Sequence, residues 1–373
     1  MLFNNNVILI EKVKRFLLDT KLVEQYTKIR QYIKNRLSLN RIKQIKKDGY
    51  LAPPYNIVLE TNFNCNQKCS FCYQRKIRLQ KEEQLSVEDI RKTFLPMNKK
   101  DIYNVLIMGG ESFVRQDIFQ IFDIFEDLQI PFSITTNGTL LTEEKMKIII
   151  KYKYLKYISF SVHGWREEHD TLVRVPGAFD KVHNVISKLA KKRKGLALSF
   201  VLTKNNIHSL KKLIDFAKTL KLDEVMIAIE FATGKYSNKR QKPVDQVIFN
   251  NQEEIVYKLE KMKDYANEQG VILNYSSNLM TKKDDFSSYL KGQILTNKKR
   301  FNLFCNDLFM LRIDPKGNLV YCLLSRKIFG NVKKTPLIDL INDSKIKLER
   351  KKIANSNYFP ICERCCRLDN LNV

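Results

Sequence analysis

Between residues 55 and 230, short apolar runs rich in β-branched residues alternate with longer segments whose apolar side chains recur every three or four positions. The short runs Asn56–Glu60, Asn104–Met108, Phe132–Thr135, Tyr157–Val162, Ala197–Leu202 and Glu224–Ile229 predict strands. Arg115–Leu128, Glu143–Tyr152, Phe179–Lys192 and Ile207–Leu220, which lie between them, predict helices. A helix between two strands returns the chain to the same strand direction, so this α/β rhythm predicts a parallel sheet. Ligands of such sheets collect at the C-terminal strand ends.

The flanks follow other rules. In residues 1–50, Leu22, Tyr26, Ile29, Ile33 and Leu37 recur at helical steps, and 12 Lys or Arg stand against four acids. This predicts a basic helical extension, ended by Pro53-Pro54. Its two readings are a cover for one flank of the core and a contact with a membrane surface or a substrate. Beyond Ile229, Gly234–Asn251 reads as a loop and Gln252–Gln269 as a helix. Phe309–Asp314 and Asn318–Cys322, joined by Pro315-Lys316-Gly317, read as a β-hairpin. The expected division is therefore 1–50, a helical extension; 51–235, the core; 236–300, a linker and helix; and 301–373, a smaller domain with five of the eight cysteines.

A chain of 373 residues, 44% of them hydrophobic, has enough apolar mass for a large core without disulfides. Its longest apolar runs, such as Val7–Ile10, fall far short of the roughly 20 residues of a membrane span. The N-terminus has no secretory signal pattern, so a cytoplasmic location with reduced thiols is expected. The formal charge of +26 is spread along the whole chain, and nucleic acid is not an expected partner.

Three cysteines fall in the first loop after the first strand, as Cys65-x3-Cys69-x2-Cys72. Three thiols cannot close into pairs, and a structural zinc would need a fourth ligand, absent between Tyr73 and Ser161. A [4Fe-4S] cluster can take three thiolates and leave one iron open. This segment, with Phe71 before the last cysteine and Glu60-Thr61-Asn62 ahead of the first, resembles the cluster motif of radical S-adenosylmethionine (SAM) enzymes. The resemblance implies a partial (β/α)6 TIM-like barrel. It also implies that SAM chelates the open iron and is reductively cleaved to a 5′-deoxyadenosyl radical that abstracts a substrate hydrogen.

Further segments carry the same resemblance, in order. Gly109-Gly110-Glu111 looks like the segment that binds the SAM amino group, with Ser112 in place of the usual Pro. Thr136-Asn137-Gly138 is similar to the turn near the adenosine. Ser159–Gly164, with His169-Asp170 and Arg174, resembles peptide- and sulfatase-maturing members, which implies Ser161 at the SAM ribose and Arg174 at its carboxylate. Tyr73, next to the last cysteine, joins the expected cofactor-binding residues. His163 stands where those members usually carry Asp; a substrate contact and a hydrogen-bonded structural imidazole are both open to it.

The second set reads Cys305-x16-Cys322, a gap of 39, then Cys362-x2-Cys365-Cys366. With Gly317-x4-Cys322 inside it, this looks like the start of the SPASM/twitch extension that carries auxiliary iron-sulfur clusters. The expected ligands are Cys305, Cys322, Cys362 and Cys365, with Cys366 as a replacement for Cys365, in the shorter one-cluster twitch form. A structural zinc site has permissible spacing too. Sulfatase maturases carry an Asp after the second cysteine, where this chain has Leu323; Asp307 and Asp314 lie near the same cysteines.

The function expected from these motifs is oxidation or cross-linking of a ribosomally made peptide, with flavodoxin or ferredoxin as electron donor. The alternatives are a dehydrogenase of a carbohydrate or aminocyclitol and, more remotely, an iron-sulfur RNA-binding protein without radical chemistry.

Overall fold

A computed structural model describes residues 39–74, 83–203, 205–229, 252–280, 282–291, 293–296, 302–322, 325–355, 362, 365 and 368–370. Its core alternates strands and helices: β1 (Tyr55–Glu60), α1 (Val87–Phe94), β2 (Ile102–Met108), α2 (Ile118–Asp127), β3 (Phe132–Thr136), α3 (Glu143–Ile149) and β4 (Leu155–Ser161). It continues with α4 (Glu167–Val173), α5 (Ala178–Ala190), β5 (Leu196–Leu202), α6 (Leu210–Thr219), β6 (Glu224–Ile229), α7 (Gln252–Gln269) and β7 (Leu273–Tyr275). All seven strands pair in sequence order and in parallel.

The pattern of the residues explains the packing. In α2 the spacing of Ile118, Ile121, Phe122 and Phe125 gives one apolar stripe, which is buried. Its Phe122 and Phe125 rings meet Phe132 of β3 at 5.3 and 5.7 Å between centroids. Helix α1 starts at a capping box between Ser86 and Asp89. All six predicted strands are present, with ends moved by no more than two residues.

After α8 (Lys283–Leu290) come β8 (Leu303–Cys305), β9 (Met310–Ile313), β10 (Asn318–Tyr321) and β11 (Lys327–Asn331), then α9 (Leu337–Ile341), α10 (Ser344–Ala354) and β12 (Leu368–Asn370). The predicted hairpin is β9–β10. It continues the core sheet: β9 pairs in parallel with β1, from Asn56 with Met310 to Leu59 with Ile313, giving the order β11-β10-β9-β1-β2-β3-β4-β5-β6-β7. The physical reason is the edge of β1, a strand buried along its length whose free N–H and C=O groups need partners. β8 and β12 form a separate antiparallel pair.

The predicted helical repeat from Leu22 to Leu37 and the loop Gly234–Asn251 lie outside the described residues. Residues 39–48 are helical, with Ile42 and Ile45 buried. This helix fastens to the C-terminal part of the chain. Asn355 Nδ2 donates to the Lys46 carbonyl at 3.1 Å, Asn342 exchanges hydrogen bonds with the Leu51 backbone, and the Arg41 guanidinium lies over the Phe309 ring at 5.2 Å. No helix among the described residues is long and apolar enough to cross a membrane.

Candidate functional site

From Glu60 the chain leaves β1 and crosses the C-terminal end of the sheet as the cysteine loop. The Thr61 N–H donates to the Met108 carbonyl at 2.7 Å, Gly110 N–H to Asn62 at 2.8 Å and Glu111 N–H to Asn64 at 2.7 Å. A Cβ on Gly109 would stand 2.4 Å from the Asn62 oxygen, and one on Gly110 2.0 Å from the Asn64 oxygen. The visible reason for both glycines is thus the close approach of the cysteine loop's own backbone. On its other side the loop leans on α4, where Lys68 and Ser70 N–H groups donate to the Val173 and Leu172 carbonyls at 3.0 and 2.9 Å. Those carbonyls end a helix and have no intrahelical donor, so the loop satisfies them.

Glu111, buried, ties the second and third strand ends together. One carboxylate oxygen accepts from Thr136 Oγ1 at 2.8 Å and Phe113 N–H at 3.2 Å, the other from Asn137 N–H at 2.7 Å. Burial pushes its carboxyl up, against these hydrogen bonds. Asn137 Nδ2 donates to Asn66 Oδ1 at 2.9 Å and reaches Cys65 Sγ at 3.9 Å. The Gln67 N–H points at the same sulfur at 3.4 Å. Ser112 accepts from Thr61 Oγ1 at 3.2 Å, a hydrogen bond that stiffens the segment where a Pro ring was expected.

The structure therefore unites Cys65, Cys69, Cys72, Gly109, Gly110, Glu111, Thr136 and Asn137 at one sheet end. Ser161 ends the neighbouring β4, opposite Ser199 of β5. Arg174 is exposed and caps α4 in the left-handed region, at φ 58°. Burial and the nearby Glu60 push the Tyr73 hydroxyl up. His163 is a structural imidazole: Nδ1 accepts from Val201 N–H at 3.1 Å, and the ring meets Phe71 edge-on at 4.6 Å. Burial holds it well below the usual histidine range, and burial brings His169, which accepts from His163 N–H, down to about 4.

The second set assembles at the other cysteines. Cys305, Cys362 and Cys365 are buried, and Cys322 is half-buried. Burial first, then Asp307, Cys322 and Cys362, push the Cys305 thiol well up, as expected of thiols gathered in one place. Cys322 sits in the left-handed region at φ 64°, and Ser325 N–H approaches its sulfur at 3.5 Å. Among the described residues, no three His, Cys, Asp or Glu side chains converge to the spacing of a single-ion site. Cys366 and Leu323 lie outside the described residues. Asp307 and Asp314 are buried, and Asp314 is engaged in the hairpin turn, accepting from Lys316 N–H, Asn318 N–H and Asn318 Nδ2 at 2.9, 2.9 and 3.0 Å.

Sequence reasoning gave no role to Glu60, which is 0% exposed. It accepts from Arg312 Nη1 at 3.0 Å, from Arg326 Nη1 at 2.8 Å and from Gln74 Nε2 at 3.4 Å. An acid closing an otherwise apolar strand was the available signal, since a buried carboxylate requires partners.

Thiols looped over the C-terminal ends of a parallel sheet, backed by a second set of largely buried thiols, are the donor arrangement of an iron-sulfur protein. The chain belongs to the radical SAM superfamily, whose model matches residues 59–217, and its residues 305–366 match the SPASM iron-sulfur cluster-binding domain. A probable GTP 3′,8-cyclase of Thermococcus kodakarensis is 26% identical over 283 residues, 74% of this chain and 87% of that protein. The PqqA peptide cyclase of Rhizobium meliloti is 24% identical over 191 residues, 51% of each. The chain spans about half the length of the first curated relatives it matches. In fold it is similar to Streptococcus suis SuiB, with a TM-score of 0.64, 17% identity and coverage of 88% of this chain and 76% of that one.

This membership brings a [4Fe-4S] cluster, SAM and auxiliary iron-sulfur clusters. The donor set fits them: three thiols share one loop with N–H groups aimed at Cys65, and a second set of thiols lies buried in the C-terminal segment.

Proposed function

We propose that this protein is a radical SAM oxidase or cross-linking enzyme acting on a ribosomally made peptide. The observation that carries the oxidative half is the seating of the hairpin before Cys322 directly on β1, the strand that leads into the Cys65 loop. In this reading Cys65, Cys69 and Cys72 hold the SAM-binding cluster. SAM lies against Gly109, Gly110, Glu111, Thr136 and Asn137, with Ser161 at its ribose, Arg174 at its carboxylate and Tyr73 beneath the loop. Bound there, the cluster and SAM supply the 5′-deoxyadenosyl radical. Glu111 acts by holding Thr136 and Asn137 in place, since its carboxylate is committed to them.

Cys305, Cys322 and Cys362, with Cys365 or Cys366, hold one auxiliary cluster. A cluster held by these thiols would supply a one-electron acceptor, so that a substrate that has given up one hydrogen atom could lose an electron and a proton as well, two hydrogens in all. Flavodoxin or ferredoxin supplies the initiating electron. The segments 1–50, 51–235, 236–300 and 301–373 are the working division of the chain, with 51–235 and 301–373 contributing to one sheet joined at β1 and β9.

Support for a peptide comes from the solved complex of SuiB with its precursor peptide SuiA and from the PqqA peptide cyclase. A small-molecule substrate is the second reading, favoured by the GTP cyclase match across 74% of this chain. The test is anaerobic reconstitution followed by counting iron and 5′-deoxyadenosine. Wild type should hold about eight irons and cleave SAM under dithionite. Cys322→Ala should still cleave SAM but not oxidise a peptide that wild type converts. Normal peptide oxidation by Cys322→Ala would refute the auxiliary cluster's role, and conversion of a nucleotide or sugar but no peptide would install the second reading.

A further inference from the structure

Glu60, Arg312 and Arg326 belong to neither cysteine set, yet their side chains join the two. Glu60 closes β1 five residues before Cys65, Arg312 lies on β9, and Arg326 follows Cys322 by four residues. The Arg326 guanidinium meets both Glu60 oxygens, at 3.0 and 2.8 Å, and Arg312 meets one of them at 3.0 Å. Arg326 also covers the ring of Phe63, in the cysteine loop, at 5.3 Å, while its backbone N–H donates to the Cys322 carbonyl at 3.3 Å. It stands 3.9 Å from Asp314, which holds the hairpin turn. Two guanidiniums thus face two carboxylates, with Glu60, Arg312 and Asp314 buried and Arg326 half-buried.

The backbone ties the turn of Cys322 to its own hairpin, through the pairing of Tyr321 with Lys327, and reaches β1 only through β9. The β1–β9 register ends at Leu59 with Ile313, so no backbone hydrogen bond runs from β1 to the Cys322 turn itself among the described residues. Cys322 and Arg326 both occupy the left-handed region, at φ 64° and 49°, where non-glycine residues persist only if their surroundings hold them. Arg326 Nη1, shared by both Glu60 oxygens, and Arg312 Nη1 on one of them hold the carboxylate from two elements at once, with charge-assisted hydrogen bonds.

We propose that Glu60, acting through Arg326 and Arg312, is the positioning residue that sets the distance and orientation of the auxiliary cluster relative to the SAM-binding cluster. This rests on the reading that the second cysteine set holds a cluster. The clamp acts through geometry, so its loss changes how the two sites are related and leaves each site's own ligands in place.

The test compares the full chain, reconstituted and reduced with dithionite, as wild type, Arg326→Gln and Arg326→Lys. Electron paramagnetic resonance reads the magnetic coupling between the two reduced clusters, with iron per chain and SAM cleavage measured on the same samples. Wild type should show one defined coupling. Arg326→Gln should retain iron and SAM cleavage but show a weakened, spread coupling, and Arg326→Lys should restore part of its sharpness. If Arg326→Gln loses iron, Glu60→Gln, which keeps the shape of the side chain, is judged by the same coupling. A coupling in the substituted protein identical to that of wild type would overturn the proposal. Wild type with about four irons would overturn the auxiliary-cluster reading itself, and the clamp with it.

Discussion

Gly110→Ala would place a methyl group where the cysteine loop already stands. The new Cβ would lie 2.0 Å from the Asn64 oxygen, 2.5 Å from its carbonyl carbon and 2.7 Å from the Phe63 oxygen, when real Cβ contacts essentially never fall below 3.0 Å. The difference of 3.0 and 2.0 Å means the backbone beside Cys65 must retreat by about 1 Å. No rotamer change relieves the clash, because every atom it meets is main chain. The retreat stretches the Gly110–Asn62 and Glu111–Asn64 hydrogen bonds, now 2.8 and 2.7 Å, beyond useful length. Overpacking and these bonds together should cost about 3 kcal/mol. Ligand distances in a metal site tolerate only about 0.2 Å, so the displacement exceeds what cluster binding can absorb. The variant should fold with a wild-type circular dichroism spectrum and a lower melting temperature, lose about four irons per chain, and lose SAM cleavage. Gly177→Ala is the control: nothing lies within 4 Å of its Cβ, and its φ of +74° costs only left-handed strain. Gly110→Ala with wild-type iron and a wild-type cleavage rate would refute the packing argument.

Stability should fall on mild acidification through the two buried imidazoles. His169 drops from an ordinary 6.5 to about 4 in the folded chain, so the unfolded chain takes up its proton first. This stability is complete above the unfolded value and is lost as pH falls through about 4, amounting to about 3 kcal/mol. His163 acts in the same direction. Urea midpoints for wild type and His169→Gln at neutral pH and near pH 4.5 measure it, and equal acid sensitivity of the two proteins counts against the assignment. Asp314→Ala removes the acceptor of three turn hydrogen bonds and should cost about 2 kcal/mol. Iron at the second cysteine set should fall while SAM cleavage persists; unchanged iron would show that the turn does not place Cys322.

Much of the fold was legible because its signals are local. Strand alternation and helical spacing are written within ten or so residues, and all six predicted strands formed. The cysteine loop, Gly109–Glu111 and Thr136-Asn137 were legible too, since each is a short motif at the end of a predicted strand. The Ser86–Asp89 box was an available sign of α1, whereas the three residues of β7 are too few to show alternation.

The sequence by itself determined the family, the cofactors and the six core strands, through patterns that neighbouring residues share. Only the tertiary structure decided how the chain's two cysteine sets are joined. Glu60 meets Arg312 and Arg326 across 252 and 266 residues, and Asn342 meets Leu51 across 291. Such pairings leave no periodic trace, because they are selected by what remains unsatisfied once the local elements exist. The edge of β1 needs a strand, and its terminal carboxylate, buried by that strand, needs cations. Gly109 and Gly110 follow the same logic: as a dipeptide they mark only a turn, and the backbone that makes them indispensable arrives from 47 residues away, as Thr61 pairs with Met108.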